Sequence, residues 1–357
     1  MFPFRNVILF FVFLLASGMV PTPTHADDLV ATGPDVERQF DFWIGEWQVN
    51  NRFLGPDGEW YDRGTARATI VPILGGRALV ERWSGTTNGN KTIGFSLRSW
   101  HPDEGRWAIL LNWPGGGRPS FGTMKGSFRH GRGEFFSGEY TDAQGRPTQQ
   151  RFTFSDARLE SCRWDSATTH DGGKSWRTTW IMEFTRKRPA DRVSEDELFA
   201  PVDESCHCTQ PEARQFDFLI GSWIGTGTDA SSHRLDAAAI VEQCMIVERL
   251  SSQLPDGSSV TRFAVRAFVP ASGRWESTHM EDRSPDWVRA VGSVGRRRAQ
   301  LETRDASQKP VARFTWEGFR DGDGFRYLEE ITGDGGEWGT RFDVDFRRAP
   351  GNAAREE

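Results

Sequence analysis

Two charged pairs recur in this chain in matching surroundings: Glu81-Arg82 within Leu79-Val80-Glu81-Arg82-Trp83, and Glu248-Arg249 within Ile246-Val247-Glu248-Arg249-Leu250. On a strand, neighbours point to opposite faces, so one member of each pair is directed inward. An inward charge is costly unless it is paired or meets a ligand. Two readings follow. In the first, the pairs are exterior cross-strand ion pairs whose other members sit at a wet rim. In the second, the inward charge contacts a ligand. Together with His101 or His170, Glu81 and Arg82 make the candidate catalytic set, an enclosed acid–base site suited to isomerising or cyclising a hydrophobic substrate by proton transfer.

Tryptophan supplies a second constellation. Of fifteen in the chain, ten fall from Trp43 to Trp180 and five from Trp223 to Trp338. Indoles fill cores, and they also wall cavities for apolar molecules while keeping one polar contact. Trp83, Trp100 and Trp113, with Arg82, are the candidate ligand-binding residues, and the tryptophan-rich first half is the expected binding half. Beyond His25 near the N-terminus, the remaining histidines, 130, 207, 233 and 279, are scattered, most of them beside turn residues. They read as surface residues, and no pair has the helical spacing of a hydrolytic zinc site. The chain has no Gly-x-Ser-x-Gly elbow and no phosphate loop before a helix, so acyl and phosphoryl transfer have no support.

These residues need a scaffold, and the chain states its scaffold twice. Arg38 to Trp47 returns as Arg214 to Trp223 with eight of ten positions identical, and the central Asp41 and Asp217 lie 176 residues apart. That interval is domain-sized, so each copy heads a complete fold. After each heading come short runs rich in Val, Ile, Thr, Phe and Trp, punctuated by turns such as Gly55-Pro56-Asp57-Gly58 and Asp171-Gly172-Gly173. Trp176, Thr178, Trp180, Met182 and Phe184 alternate with Arg177, Thr179, Ile181 and Glu183, as Phe263, Val265, Ala267 and Val269 do with Arg262, Arg266 and Phe268, and each mostly apolar file marks one sheet face. The copies stay in register through Gly105-Arg106-Trp107 and Gly273-Arg274-Trp275, then Asp171-Gly172-Gly173 and Asp334-Gly335-Gly336. About ten antiparallel strands per copy, without helices to cover them, favour closure into barrels. Helical spacing occurs only at the headings, where Phe40, Trp43, Ile44 and Trp47, like Phe216, Leu219, Ile220 and Trp223, suit a short plug at one barrel end.

The expected organisation is therefore a signal peptide at 1–26, barrel 1 at 36–188, a linker at 189–211, barrel 2 at 212–348 and a tail at 349–357. Arg5, the apolar run Val7 to Leu15 and Thr24-His25-Ala26 carry the signal-peptide reading and a secreted or periplasmic location. The apolar run is well short of the roughly 20 residues of a spanning helix, so membrane insertion is not expected. A net charge of −6 disfavours nucleic acid, and Arg296-Arg297-Arg298 reads as a solvated turn. Among Cys162, Cys206, Cys208 and Cys244, pairing of a linker cysteine with Cys162 or Cys244 is easier than a Cys206–Cys208 ring. Cys206-His207-Cys208 lacks the second ligand pair of a zinc site, so no metal is expected.

Phe-Asp-Phe-Trp-Ile-Gly-Glu-Trp, Leu74-Gly75-Gly76-Arg77-Ala78-Leu79-Val80-Glu81 and the Asp-Gly-Gly turn before a Trp-rich last strand resemble a bacterial family of domains of unknown function with lipocalin-like barrels. The resemblance covers about 40–188 and 216–348 and implies tandem barrels with internal cavities and no established reaction. Gly45-x-Trp47 and Gly221-x-Trp223 are similar to the lipocalin tripeptide, which implies that Arg186, and Arg347 or Arg348, stack on those indoles as structural closures. The second heading is also similar to that of haem-binding nitrobindin-like barrels, whose iron ligand is a late histidine. His279 stands well before the end of its copy, so haem is disfavoured and no cofactor is expected. The function expected is binding of a small, largely apolar molecule in at least the first barrel. The competing functions are the proton-transfer enzyme and a non-catalytic scaffold with both interiors packed.

Overall fold

The chain is all-β, and its alternating files close into two consecutive antiparallel barrels. The computed structural model describes residues 35–87, 89–114, 118–200, 208–318, 323–333 and 336–350. The expected signal peptide, Cys206, His207, Asp334, Gly335 and most of the expected tail lie outside the described residues. The first barrel is built from β1 (Gly45–Leu54), β2 (Trp60–Ile73), β3 (Ala78–Thr87), β4 (Asn90–His101), β5 (Arg106–Trp113), β6 (Arg118–Arg129), β7 (Arg132–Ser137), β8 (Tyr140–Thr141), β9 (Pro147–Ser155), β10 (Ser161–Thr169) and β11 (Arg177–Arg188). Strand β11 pairs with both β1 and β10, and β10 pairs with β9, so ten strands form a ring and the short β8 hangs on β9 outside it. The second barrel closes from β12 (Gly221–Gly227), β13 (Ser232–Ile240), β14 (Met245–Gln253), β15 (Ser259–Val269), β16 (Arg274–Glu281), β17 (Ser284–Val294), β18 (Arg298–Arg304), β19 (Pro310–Gly318), β20 (Gly324–Thr332) and β21 (Trp338–Arg348).

The plugs are single 3-10 turns, Asp41–Trp43 and Asp217–Leu219, each held the same way. Trp47 Nε1 donates to the Trp43 carbonyl at 2.8 Å, and Trp223 Nε1 to the Leu219 carbonyl at 2.7 Å. The floor arginines implied by the lipocalin resemblance are Arg186, 4.0 Å over the Trp47 ring, and Arg348, 3.8 Å over the Trp223 ring. Arg348, not Arg347, is the second closure. Gly45 and Gly221 have φ of +134° and +126°, and a Cβ on either would run into the guanidinium of Arg186 or Arg348. The glycine of the tripeptide is thus fixed by the arginine that closes the floor.

The barrels pack on each other through equivalent faces. Phe263, Val265 and Ala267 do form one file, but that file belongs to the apolar cluster shared with the first barrel and not to the second barrel's interior. Contacts of β15 with β6 and of β4 with β17 exchange under the repeat, giving a quasi-twofold arrangement. The connecting segment is tied to both barrels: Leu198 is fully buried, Glu195 accepts from the Leu74 amide at 3.1 Å, and Asp196 pairs with Arg249 at 2.8 Å. A disulfide joins Cys208 to Cys244 in the turn just before β14, while Cys162 is a buried free thiol whose pKa burial raises.

The turns before β3 and β14 share one left-handed course at different cost. Leu74, Gly75 and Gly76 have φ of 52°, 67° and 86°, and their counterparts Val241, Glu242 and Gln243 have 52°, 51° and 63°. A left-handed non-glycine residue costs about 1–2 kcal/mol, partly offset by glycine's larger entropy loss on folding. Gln243→Gly is therefore expected to raise stability by about 0.5–1 kcal/mol in urea unfolding. An unchanged midpoint would show that no strain resides there.

Candidate functional site: the two barrel interiors

Each barrel encloses a glutamate and an arginine in direct contact. In the first, Glu81 on β3 faces inward, and its Oε2 accepts from Arg98 Nη2 at 2.7 Å and from Ser96 Oγ at 2.8 Å, both on β4. Glu81 is therefore not part of an exterior ion pair. Its chain neighbour Arg82 lies on the opposite strand face, because strand neighbours alternate. In the second barrel Glu248 Oε2 accepts from Arg266 Nη2 at 2.5 Å. The partner arginine stands on the neighbouring strand, so adjacency along the chain does not reveal it. Setting the copies side by side would have found it: arginine follows glutamate by 17 positions in one and 18 in the other.

The plugs cover these arginines. Arg98 lies 5.3 Å from the Phe40 ring, 5.5 Å from Trp43 and 5.7 Å from Phe154, and Arg266 lies 4.7 Å from Phe216 and 4.5 Å from Trp316. Phe40 and Phe216 are both fully buried, so the repeated heading caps a buried guanidinium as well as a barrel end. The hydrogen bonding is incomplete. Nε and Nη1 of both Arg98 and Arg266, Glu248 Oε1 and Trp83 Nε1 are buried with no hydrogen-bond partner among the described residues. Buried polar groups ordinarily find partners, and leaving one unsatisfied costs about 1–3 kcal/mol, so these atoms call for an acceptor or donor from outside the protein.

A cavity of about 30 Å³ adjoins each pair. At roughly 10–15 Å³ per water, each has room for about two water-sized groups. Above the pair, the two barrels diverge at equivalent strand positions. The first carries indoles: Trp83 and Trp113 with ring centroids 5.3 Å apart, Trp113 and Trp180 at 5.7 Å, Trp164 and Trp180 at 5.1 Å. The second carries charges: Arg262 Nη1 donates to Glu329 at 2.7 Å and to Tyr327 Oη at 3.2 Å, Arg262 Nη2 to Glu281 at 2.6 Å, and Arg341 to Glu329 at 2.9 Å. Burial opposes the Arg262 charge, yet Tyr327, Glu329 and Glu281 raise its pKa overall. Burial raises the pKa of Glu248 and lowers that of Arg266, which marks their pairing as costly.

The remaining predicted residues do not converge. Trp83 and Trp113 line the first interior beside Glu81, whereas Trp100 lines a groove near Gly76, Arg77 and Met280 between the barrels. His101 sits at that junction, its ring 5.1 Å from Trp287 and its Nε2 3.1 Å from Ser99 Oγ, with its pKa lowered by burial. His170 is exposed, 3.0 Å from Thr148 Oγ1 and far from Glu81 in the pairing order. His233 and His279 are buried, contrary to the surface reading. Ser231 and Ser252 satisfy both ring nitrogens of His233, and His279 faces the second cavity against Phe314 at 5.2 Å. Burial, then Arg262, Arg341 and Arg266, hold the His279 pKa well below the usual imidazole value, so the ring is neutral.

No family model matches the chain, and no curated protein matches it. Among solved structures, it is similar to an S-type phycobiliprotein lyase from Guillardia theta, at 11% identity and a TM-score of 0.33, covering 45% of this chain and 97% of that one. It is also similar to a DUF3598 family protein of unknown function from Nostoc punctiforme, at 13% identity and a TM-score of 0.21, covering 89% of this chain and 100% of that one. Nothing about the ligands of those proteins carries over at this level of likeness.

Proposed function

We propose that this protein binds a small, largely apolar molecule in its first barrel, and that the molecule carries a hydrogen-bond-accepting oxygen at one end. The observation that carries this reading is the set of buried donors without partners, Arg98 Nε, Arg98 Nη1 and Trp83 Nε1, at the base of an indole-walled cavity. A carbonyl or ether oxygen would satisfy the donors, and the Arg98 charge is already balanced by Glu81, so a neutral acceptor suits the site better than a carboxylate. The ligand's body would lie among Trp83, Trp113, Trp164 and Trp180. Room for it comes from rotation of the half-buried Trp113 and Trp180 toward the mouth. An exported location fits a carrier of this kind and belongs to the same proposal.

Native mass spectrometry of the full chain purified from its own host tests the reading. The expected spectrum shows an added mass that is released on denaturation and contains a carbonyl or ether group. Trp83→Leu, which removes the unpartnered N–H and gives the residue of the second barrel, is expected to cut occupancy at least tenfold. A bare-chain mass, or full occupancy in Trp83→Leu, overturns the proposal.

A further inference from the structure

The two cups differ at one position in a way that changes what each could hold. Glu81 lies across from Ser96, and Glu248 lies across from Ala264, in the same register. Ser96 Oγ donates to Glu81, and alanine cannot replace that bond. Ser96 and Arg98 share one oxygen, Glu81 Oε2. In the second cup Arg266 alone takes Glu248 Oε2, Glu248 Oε1 is buried without a donor, and the adjacent Arg266 keeps Nε and Nη1 without acceptors among the described residues, so an acceptor and donors stand side by side.

From this we infer that the second barrel is a separate binding site for a small molecule bearing a carboxamide, whose carbonyl oxygen takes the Arg266 donors and whose N–H donates to Glu248 Oε1. Arg266 is 2% exposed and Glu248 6%, and both line the cavity. Space for about two water-sized groups admits the head of an amide and not a bulky ring. The mouth agrees with a polar ligand. Where the first barrel has Gly94, Trp113, Trp164 and Trp180, the second has Arg262, Glu281, Tyr327 and Phe342. Gly94 leaves space that the Trp113 ring fills, and Arg262 at the corresponding place instead gathers Glu281 and Glu329. The inference rests on the reading that these cups hold small molecules.

Acetamide and acetone test it, because they match in size and carbonyl and differ in the donor. Ligand-observed NMR titrations on the full chain are expected to show millimolar acetamide binding at least fivefold tighter than acetone. Glu248→Gln, which keeps the side chain's shape and makes its acceptor neutral, is expected to weaken acetamide at least fivefold and to leave acetone within twofold. Equal binding of the two probes, or binding of neither at 100-fold excess over about 1 mM, overturns the inference without any variant. So does acetamide binding that Glu248→Gln does not alter in a folded protein. The mass bound by the first barrel is the control: if it persists while acetamide fails, this inference falls alone, and if both fail the small-molecule reading falls with it.

Discussion

Arg98→Met is expected to destabilise the protein by about 3–5 kcal/mol, and adding Glu81→Leu is expected to recover most of that loss. The single change keeps much of the arginine stem's volume and removes its charge, leaving Glu81 buried with Ser96 as its one donor in the pair. A carboxylate left in a site walled by Phe40, Trp43 and Phe154 loses the cation that offsets its desolvation, and the small adjoining cavity can return only part of that. The double change removes both charges together, and apolar replacements of buried pairs are often neutral or stabilising. Urea unfolding followed by tryptophan emission checks both, since ten of the fifteen indoles belong to the first barrel. A loss below about 1 kcal/mol for Arg98→Met would mean that Glu81 does not depend on Arg98 for compensation. A stable double variant that no longer carries the bound mass would separate the pair's role in recognition from its role in folding.

Architecture was legible in the sequence because it depends on periodicities that repeat. The heading motif, the alternation along β11 and the turn chemistry each mark an element from a few consecutive residues, and duplication confirmed each reading once over. The direction of a file was less legible. Phe263, Val265 and Ala267 obey the period of a half-buried strand, yet both faces of β15 are covered, one by the second interior and the other by the first barrel. Alternation shows that two faces differ and does not say which one is the inside. Arg266, between Val265 and Ala267 in the chain, therefore belongs to the face that turns out to be the inside.

The site was legible only at its glutamates. Adjacent Glu81 and Arg82 suggested a pair, but adjacency on a strand separates side chains, and the true partner stands on the next strand, two positions beyond the directly opposed residue. Trp83 and Trp113 were found because indoles are conspicuous, and Trp100 was included on the same ground although it lies at the junction between barrels. His279 was discounted by its distance from the end of the copy, a criterion that carries no information about facing. Cross-strand register, which sets facing, becomes readable only when the two copies are compared position by position.

Arg186→Ala is expected to cost on the order of 4 kcal/mol or more, and Arg348→Ala only about 1–2 kcal/mol, although the two residues occupy equivalent places. Arg186 donates to three carbonyls, those of Phe42 at 2.6 Å, Ile44 at 2.5 Å and Leu159, while stacked on Trp47. It is 9% exposed, burial lowers its pKa, and its bonds to the Phe42 and Ile44 carbonyls are buried, whereas Leu159 is open to water. Removing it strands two buried acceptors at about 1–3 kcal/mol each and also loses the ring stacking, less what relaxation and entering water return. Arg348 stacks on Trp223 and donates to Ile220 at 2.6 Å in an exposed setting, where water can replace it. Arg186→Lys is expected to recover little, because an ammonium cannot fork across three carbonyls or stack as a plane. Urea midpoints for the three variants decide the matter. Equal losses at the two sites would place the closure energy in ring stacking alone. A larger loss at Arg186 would place it in the carbonyls, with the plug that covers Arg98 held to the barrel wall by a guanidinium on the far side of the same turn.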